Sequence, residues 1–221
     1  YEYDFHYVKY IDFSKFYSNK TTNMSYMLTG IGSRVPMEYY NLSGFETSNV
    51  TDMKGMFIAF GAYTENFDLD LSHFDTSNVT DMSYMFCEFG YNSKHLKLDL
   101  SNFDTSNVTT MKYMFGTFGN FSSSIELYIY DFDTSNVTDM SYMFSRFGAY
   151  VENLKIDYFK DWDTKKVTNM KNMFAYTFSE CYVGVYENII KNPSVIDLTG
   201  LDSDSLTVVD SLFSLNINWN I

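Results

Sequence analysis

One string returns along this chain at a nearly fixed interval. It reads FETSNVTDMKGMF from Phe45, FDTSNVTDMSYMF from Phe74, FDTSNVTTMKYMF from Phe103 and FDTSNVTDMSYMF from Phe132. Looser copies begin at Phe16 and Trp162, and an eroded one, LDSDSLTVVDSLF, begins at Leu201. The anchors 16, 45, 74, 103, 132 and 162 give a period of 29, with one extra residue in the last step. A period in this range marks a stacked repeat array, in which one unit cannot bury its own apolar face and must lean on its neighbours.

Each unit divides into four parts. An alternating segment comes first, such as Leu69-Asp70-Leu71-Ser72, Leu98-Asp99-Leu100-Ser101 or Leu127-Tyr128-Ile129-Tyr130. Period-two alternation predicts a strand with Leu69 and Leu71 inward and Asp70 and Ser72 outward. The turn Phe74-Asp75-Thr76-Ser77-Asn78 follows, built of residues whose side chains bond nearby amides. Val79, Met82, Met85, Phe86 and Phe89 then fall at i, i+3, i+6, i+7 and i+10, which predicts a short helix. Asn78 would cap it, Asp81 would sit in its first turn, and Gly90 would end it. A variable return segment, such as Tyr91–Leu96, completes the unit.

The expected fold is therefore α/β: a leucine-rich-repeat solenoid of about seven coils, with a parallel sheet on one face and short helices on the other. Residues 1–15 would give an N-terminal strand and partial cap. Residues 16–178 would hold six repeats of 29–30 residues, and 179–221 a C-terminal cap with one degenerate repeat. The alternative is an all-β array in which Val79-Thr80-Asp81-Met82 extends rather than coils.

The LDLS-FDTSNVTDMSYMF pattern resembles the BspA-like leucine-rich-repeat surface proteins, a bacterial family expanded in mycoplasmas as surface proteins and lipoproteins. The resemblance covers about residues 10–178. It implies a non-enzymatic binding role at the cell surface, often adhesion, with no catalytic residues to carry over. The repeat here is a few residues longer than the family's, the excess lying around Phe-Gly and the return segment.

Charge narrows the partners. Fifteen Lys and Arg stand against 28 Asp and Glu, a net charge of −13, which repels phosphate backbones and argues against nucleic acid. No apolar run is long enough to span a membrane. Position 1 is Tyr, so a signal or lipid anchor is expected to lie outside this sequence. The expected location is the cell surface or the extracellular medium.

Three sets of residues are candidates for function. The outward strand columns read Ser14, Ser43, Ser72, Ser101, Tyr130, Phe159 and Asp12, Asn41, Asp70, Asp99, Tyr128, Asp157. Serines and acids give way to Tyr128, Tyr130 and Phe159, an aromatic patch suited to a protein or glycan partner, with Asp70 and Asp99 beside it. A C-terminal cap folded over these rings is the other reading. Tyr84, Tyr113 and Tyr142, with Tyr26, share one position on the presumed helix. They would mediate self-association into a homo-oligomer or scaffold, or simply stack between coils. The recurrent acids Asp75, Asp104, Asp133 and Asp163 could form a calcium ladder or accept turn amides. The lack of a Gly-rich Asp loop favours the second, so no metal or cofactor is expected. The Asn-Val-Thr triplets at Asn49, Asn78, Asn107 and Asn136 match a glycosylation acceptor but recur at a structural position. Cys87 and Cys181 read as structural thiols too far apart to pair. His6, His73 and His95 are scattered, and no catalytic motif is present.

Overall fold

About half of the backbone hydrogen bonds outside the strand ladders join residues 28 to 30 apart. The computed structural model describes residues 5–156, 162–177 and 204–212. Successive repeats lie on one another as coils, and parallel pairing joins them on two sides. One side is a run of single bridges, Asn23 to Asp52 to Asp81 to Thr110 to Asp139 to Asn169 to Val208. The other carries strands β1 (Tyr10–Asp12), β2 (Tyr39–Asn41), β3 (Asn66–Asp68), β4 (His95–Asp99), β5 (Ser124–Tyr128) and β6 (Asn153–Ile156). The strands begin a few residues before the LDLS segments, so Leu69 and Leu71 follow β3 rather than form it, though both are buried.

Among the described residues the expected helices are absent. The only helical residues described are the 3-10 turn Phe5–Tyr7. The α/β leucine-rich-repeat architecture, with short helices along one face, is therefore overturned. Val79–Phe89 instead forms a ribbon of consecutive turns. Met85, Cys87 and Phe89 donate their N–H groups three residues back, to the carbonyls of Met82, Tyr84 and Phe86 at 3.1–3.3 Å. Met82, Tyr84, Phe86 and Glu88 donate outward, to the carbonyls of Thr110, Lys112, Met114 and Gly116 in the next coil at 2.8–3.2 Å. Every fourth residue takes a left-handed backbone, Tyr84 with φ 61° and Glu88 with φ 58°.

This ribbon explains why the sequence looked helical. Its period is four, and an α-helix has a period of 3.6. Over Met82–Phe89 both periods put Met82, Met85, Phe86 and Phe89 on the inner face, and all four are fully buried. The two differ in where the amides go. A helix bonds its N–H groups internally, whereas the ribbon keeps every second one for its neighbour. At the bridge the chain follows the extended alternative, with Asp81 paired to both Asp52 and Thr110. Gly90 turns the chain at the ribbon's end with φ 53°, and a Cβ there would come within 2.5 Å of Leu96.

The core is a set of in-register ladders. Phe57, Phe86, Phe115, Phe144 and Phe174 stack with centroids 5.4–5.9 Å apart. Phe60, Phe89, Phe118 and Phe147 form a second column at 5.3–6.3 Å. Offset stacking of this kind contributes about 0.5–1.5 kcal/mol per pair beyond area burial.

The strand side is not one continuous sheet. β1 pairs with β2, and β3 to β6 form a separate four-stranded sheet. Tyr40 stands in the column that Leu69, Leu98 and Leu127 fill in later coils. Its hydroxyl donates to the Asp68 carbonyl at 3.0 Å, and its ring meets Phe67 edge-on at 5.3 Å. Nearby, the Met37 amide bonds the Thr64 hydroxyl at 3.1 Å instead of a carbonyl. Side chains thus stand where ladder bonds would run, while the ribbon side stays continuous through Asn23, Asp52 and Asp81.

The consensus polar residues are hydrogen-bonded within the stack. Asp75 accepts the Ser77 amide at 3.0 Å and its hydroxyl at 2.6 Å. The buried Thr76, Thr105 and Thr134 hydroxyls donate to carbonyls of the next coil at 2.9–3.0 Å. The Asn78, Asn107 and Asn136 side chains reach back to carbonyls of the previous coil at 2.7–2.8 Å. Asn78 therefore caps no helix. Thr80, Thr109 and Thr138 also reach back, at 3.1–3.2 Å, and Asp81 accepts the Ser83 amide at 2.7 Å.

Two outcomes follow. Thr47 donates to the Asp75 carbonyl at 2.9 Å and accepts the Asp75 amide at 2.8 Å. Thr47→Val keeps the shape but strands both groups, so thermal or chemical melting should show a loss of about 2–4 kcal/mol. Hydrogen bonds from the serine two residues on, hydroxyl first and then amide, hold the Asp70, Asp75 and Asp133 carboxyls below their ordinary range. At Asp12 the Ser14 amide leads. Lowered folded values add stability above the unfolded value, and this is lost as pH falls from about 4 through the folded values. Melting temperature should therefore hold near neutrality and drop steeply in acid; a flat profile to pH 2 would contradict these turns.

Candidate functional site

With the consensus side chains committed to the stack, exposed chemistry falls to the positions that vary between repeats. The outward strand column shows this most clearly. Asp12, Asn41, Asp70 and Asp99 each accept the amide of the serine two residues on, at 2.9–3.0 Å. Asp70 and Asp99 thus close turns as well as facing solvent. Tyr128 follows Asp99 in register across β4 and β5 and has no carboxylate for that bond. Its hydroxyl donates instead to Glu126 at 2.8 Å, and its ring is half-buried. Tyr130 lies just past β5, in the turn, and is 48% exposed. The structure thus brings Tyr128 and Tyr130 to one end of β5 beside Asp99. Phe159 and Asp157 lie outside the described residues.

A second outward column reads Tyr10, Tyr39, Asp68, Lys97 and Glu126. Lys97 pairs with Asp68 at 2.7 Å, and that hydrogen bond raises its pKa. Tyr10 and Tyr39 are opposite one another and 63% and 45% exposed. Tyr10 bonds Glu38, which also pairs with Lys9 at 3.0 Å. The strand side therefore carries exposed rings at both ends with alternating charges between. Tyr10 and Tyr39 were missed in the sequence because they precede the LDLS register. Their signal was the alternation Tyr10-Ile11-Asp12 and Tyr39-Tyr40-Asn41.

The tyrosine column occupies the left-handed ribbon position rather than a helix face. Tyr84 and Tyr113 stack at 5.1 Å and Tyr113 and Tyr142 at 4.6 Å, within 9° of parallel. Their ring faces are therefore taken up by one another between coils. Burial, then the neighbouring rings Tyr142 and Tyr84, push the Tyr113 hydroxyl above its ordinary pKa. A similar aromatic row, also missed, lies along the return segments. Phe121 packs on Tyr150 at 4.4 Å and against Tyr91 at 5.1 Å.

The remaining candidates are scattered. Burial pushes the Cys87 thiol up to about 12, which leaves it protonated and unreactive at neutral pH; Cys181 lies outside the described residues. His73 meets the Leu42 carbonyl at 2.9 Å and His95 the Ser124 hydroxyl at 2.8 Å. Among the described residues no three His, Cys, Asp or Glu side chains converge on a metal position, and no helix is long and apolar enough to cross a membrane.

Neither the curated proteins nor the solved structures include a significant match to the chain. A family match does exist, over residues 3–125 and 89–181, which together span most of the chain. The chain belongs to the family described as "Mycoplasma protein of unknown function, DUF285".

Proposed function

We propose that this chain is a non-enzymatic binding module of the cell surface or extracellular medium, an adhesin that contacts a protein or glycan through its strand side. The observation that carries the reading is the change from acid to aromatic at Tyr128, next to the exposed Tyr130, on a stack whose consensus polar groups are spent on itself. Tyrosine gives a large contact area at low conformational cost and keeps a hydroxyl for a polar partner, which is why it is enriched at binding surfaces. Asp99, Glu126 and Lys97 supply polar contacts around the rings. The resemblance of the repeat string to BspA-like surface proteins supports the same reading. So does the net charge of −13, which disfavours nucleic acid.

The test has two parts. Protease shaving of intact producing cells should release peptides of this chain while cytoplasmic markers stay protected. Purified chain should then bind either a printed glycan array or immobilised host surface and matrix proteins. The Tyr128→Ala, Tyr130→Ala double variant should lose that binding at least tenfold, with an unchanged melting temperature. Complete protection in the shaving experiment would remove the surface reading. Undiminished binding by the double variant would remove the site.

A further inference from the structure

The turn Asp70–Phe74 aims three carbonyls at the coil that follows it. The Asn102 side chain shows where they meet. Its amide nitrogen donates back to the carbonyls of Leu71, Ser72 and Phe74 at 3.1, 3.3 and 3.2 Å. Earlier coils close the equivalent carbonyls in other ways. His73 places Nε2 2.9 Å from the Leu42 carbonyl. At Gly44 a Cβ would collide with the carbonyl oxygens of Phe13 and Phe16, so the backbone itself rests against them. Gly44, His73 and Asn102 follow one another at the 29-residue period. Each suits a place lined by acceptors: bare backbone, a ring nitrogen, an amide.

Asp131 is the next residue in that column. The carbonyls before it belong to Leu100, Ser101 and Phe103, and they are held as their counterparts one coil earlier are. The Ser101 amide bonds Asp99 and the Phe103 amide bonds the Leu100 carbonyl, both at 3.0 Å, against 2.9 Å for both bonds in Asp70–Phe74. The coils are also stacked alike. Thr105 reaches the Asp133 carbonyl at 3.0 Å, as Thr76 reaches the Asp104 carbonyl at 2.9 Å. The three oxygens therefore converge again, but an ionised carboxylate has no hydrogen to give them. Oxygen facing oxygen is repulsive unless a positive charge lies between. Asp99, Asp104 and Asp133, all exposed, border the same turn and deepen its negative potential.

We propose that this position binds calcium, held by the Leu100, Ser101 and Phe103 carbonyls and the Asp131 carboxylate. Calcium accepts mixed carbonyl, carboxylate and water ligands in flexible geometry. The ion takes the place that the Asn102 amide nitrogen holds one coil earlier. It sits closer to the oxygens, because calcium–oxygen distances are about 2.3–2.6 Å. Magnesium demands near-ideal octahedral geometry and gives up water reluctantly, so it fits an open cradle of this kind poorly. The site differs from a ladder of turn aspartates, since main-chain oxygens supply three of its four ligand groups. It lies beside Tyr130, yet the ion binds whether or not the strand side holds a partner.

Calorimetric titration of the chelator-treated full chain with calcium chloride, with thermal melting alongside, tests this directly. Wild type should bind one equivalent with a Kd on the order of 0.1–1 mM, the range of extracellular calcium modules. Its melting temperature should rise as calcium is added. Asp131→Asn should lose the titration and melt above wild type in chelator, because its amide closes the carbonyls as Asn102 does. Asn102→Asp should bind a second equivalent, melt below wild type in chelator and recover with calcium. Lost folding cannot imitate this pattern, since the variant that loses the ion is the more stable one. Wild type that takes up no calcium at millimolar concentration would overturn the proposal. So would calcium binding retained in Asp131→Asn, or an Asn102→Asp variant that gains none. An equal rise in melting temperature with magnesium would also overturn it, as general screening of the chain's negative charge.

Discussion

Half of the amides in each turn ribbon have no partner until another coil arrives, and the rest of the fold follows from that. Met82, Tyr84, Phe86 and Glu88 are satisfied only by the fourth repeat, whose own ribbon waits on the fifth. Buried amides left unpaired are costly, so the repeats become ordered together. The stacking rule also fixes side chains. A phenylalanine at one ribbon position calls for a phenylalanine 29 or 30 residues on, because only matched rings fill the column from Phe57 to Phe174. The same rule accounts for tyrosine in a left-handed backbone. That conformation costs a bulky residue about 1–2 kcal/mol, and ring stacking along Tyr84, Tyr113 and Tyr142 offsets it.

This division of labour separates what every repeat shares from what any one repeat displays. In the string Asp-Thr-Ser-Asn-Val-Thr-Asp, the first Asp closes its own turn, the two Thr and the Asn hold neighbouring coils, and Val fills the core. The Asn-Val-Thr triplets are therefore structural, as their regular recurrence suggested. Exposed side chains that vary are left to strand-side and return-segment positions, where repeats differ. The repeat's sequence signature and its exposed, variable side chains thus occupy different residues.

The 29-residue offset and many of the inward residues could be read from the sequence, because periodic burial depends only on which positions are apolar. The ribbon could not, because periods of four and 3.6 select the same four residues across Met82–Phe89. Hydrophobic spacing therefore cannot tell internal from outward amide bonding. The composition held a weak hint: Gly55 and Gly116 interrupt a segment that a helix would want filled with better formers. The interruption between β2 and β3 escaped notice because Tyr40 is apolar enough to pass for a core residue in an alternating pattern, and its hydroxyl is what matters. At the candidate site, Tyr128 and Tyr130 stand out in the sequence because Tyr128 breaks an acidic column and Tyr130 a column of serines. Tyr10 and Tyr39 were overlooked because the assumed strands began too late, the eventual strands lying a few residues upstream.

The Tyr40 seam gives the stack a mechanical weak point. Between β1 and β2, and from β3 to β6, two rows of backbone bonds join adjacent coils, one on the strand side and one along the ribbon. Between the second and third repeats only the ribbon row is intact, and the strand side is spanned by side-chain bonds from Tyr40 and Thr64. Side-chain hydroxyls tolerate rotation that a main-chain ladder does not, so the array can flex there as on a hinge, with its axis along the ribbon. A load pulling across this joint would open its strand side first, leaving the coils of β3 to β6 as one stiff block.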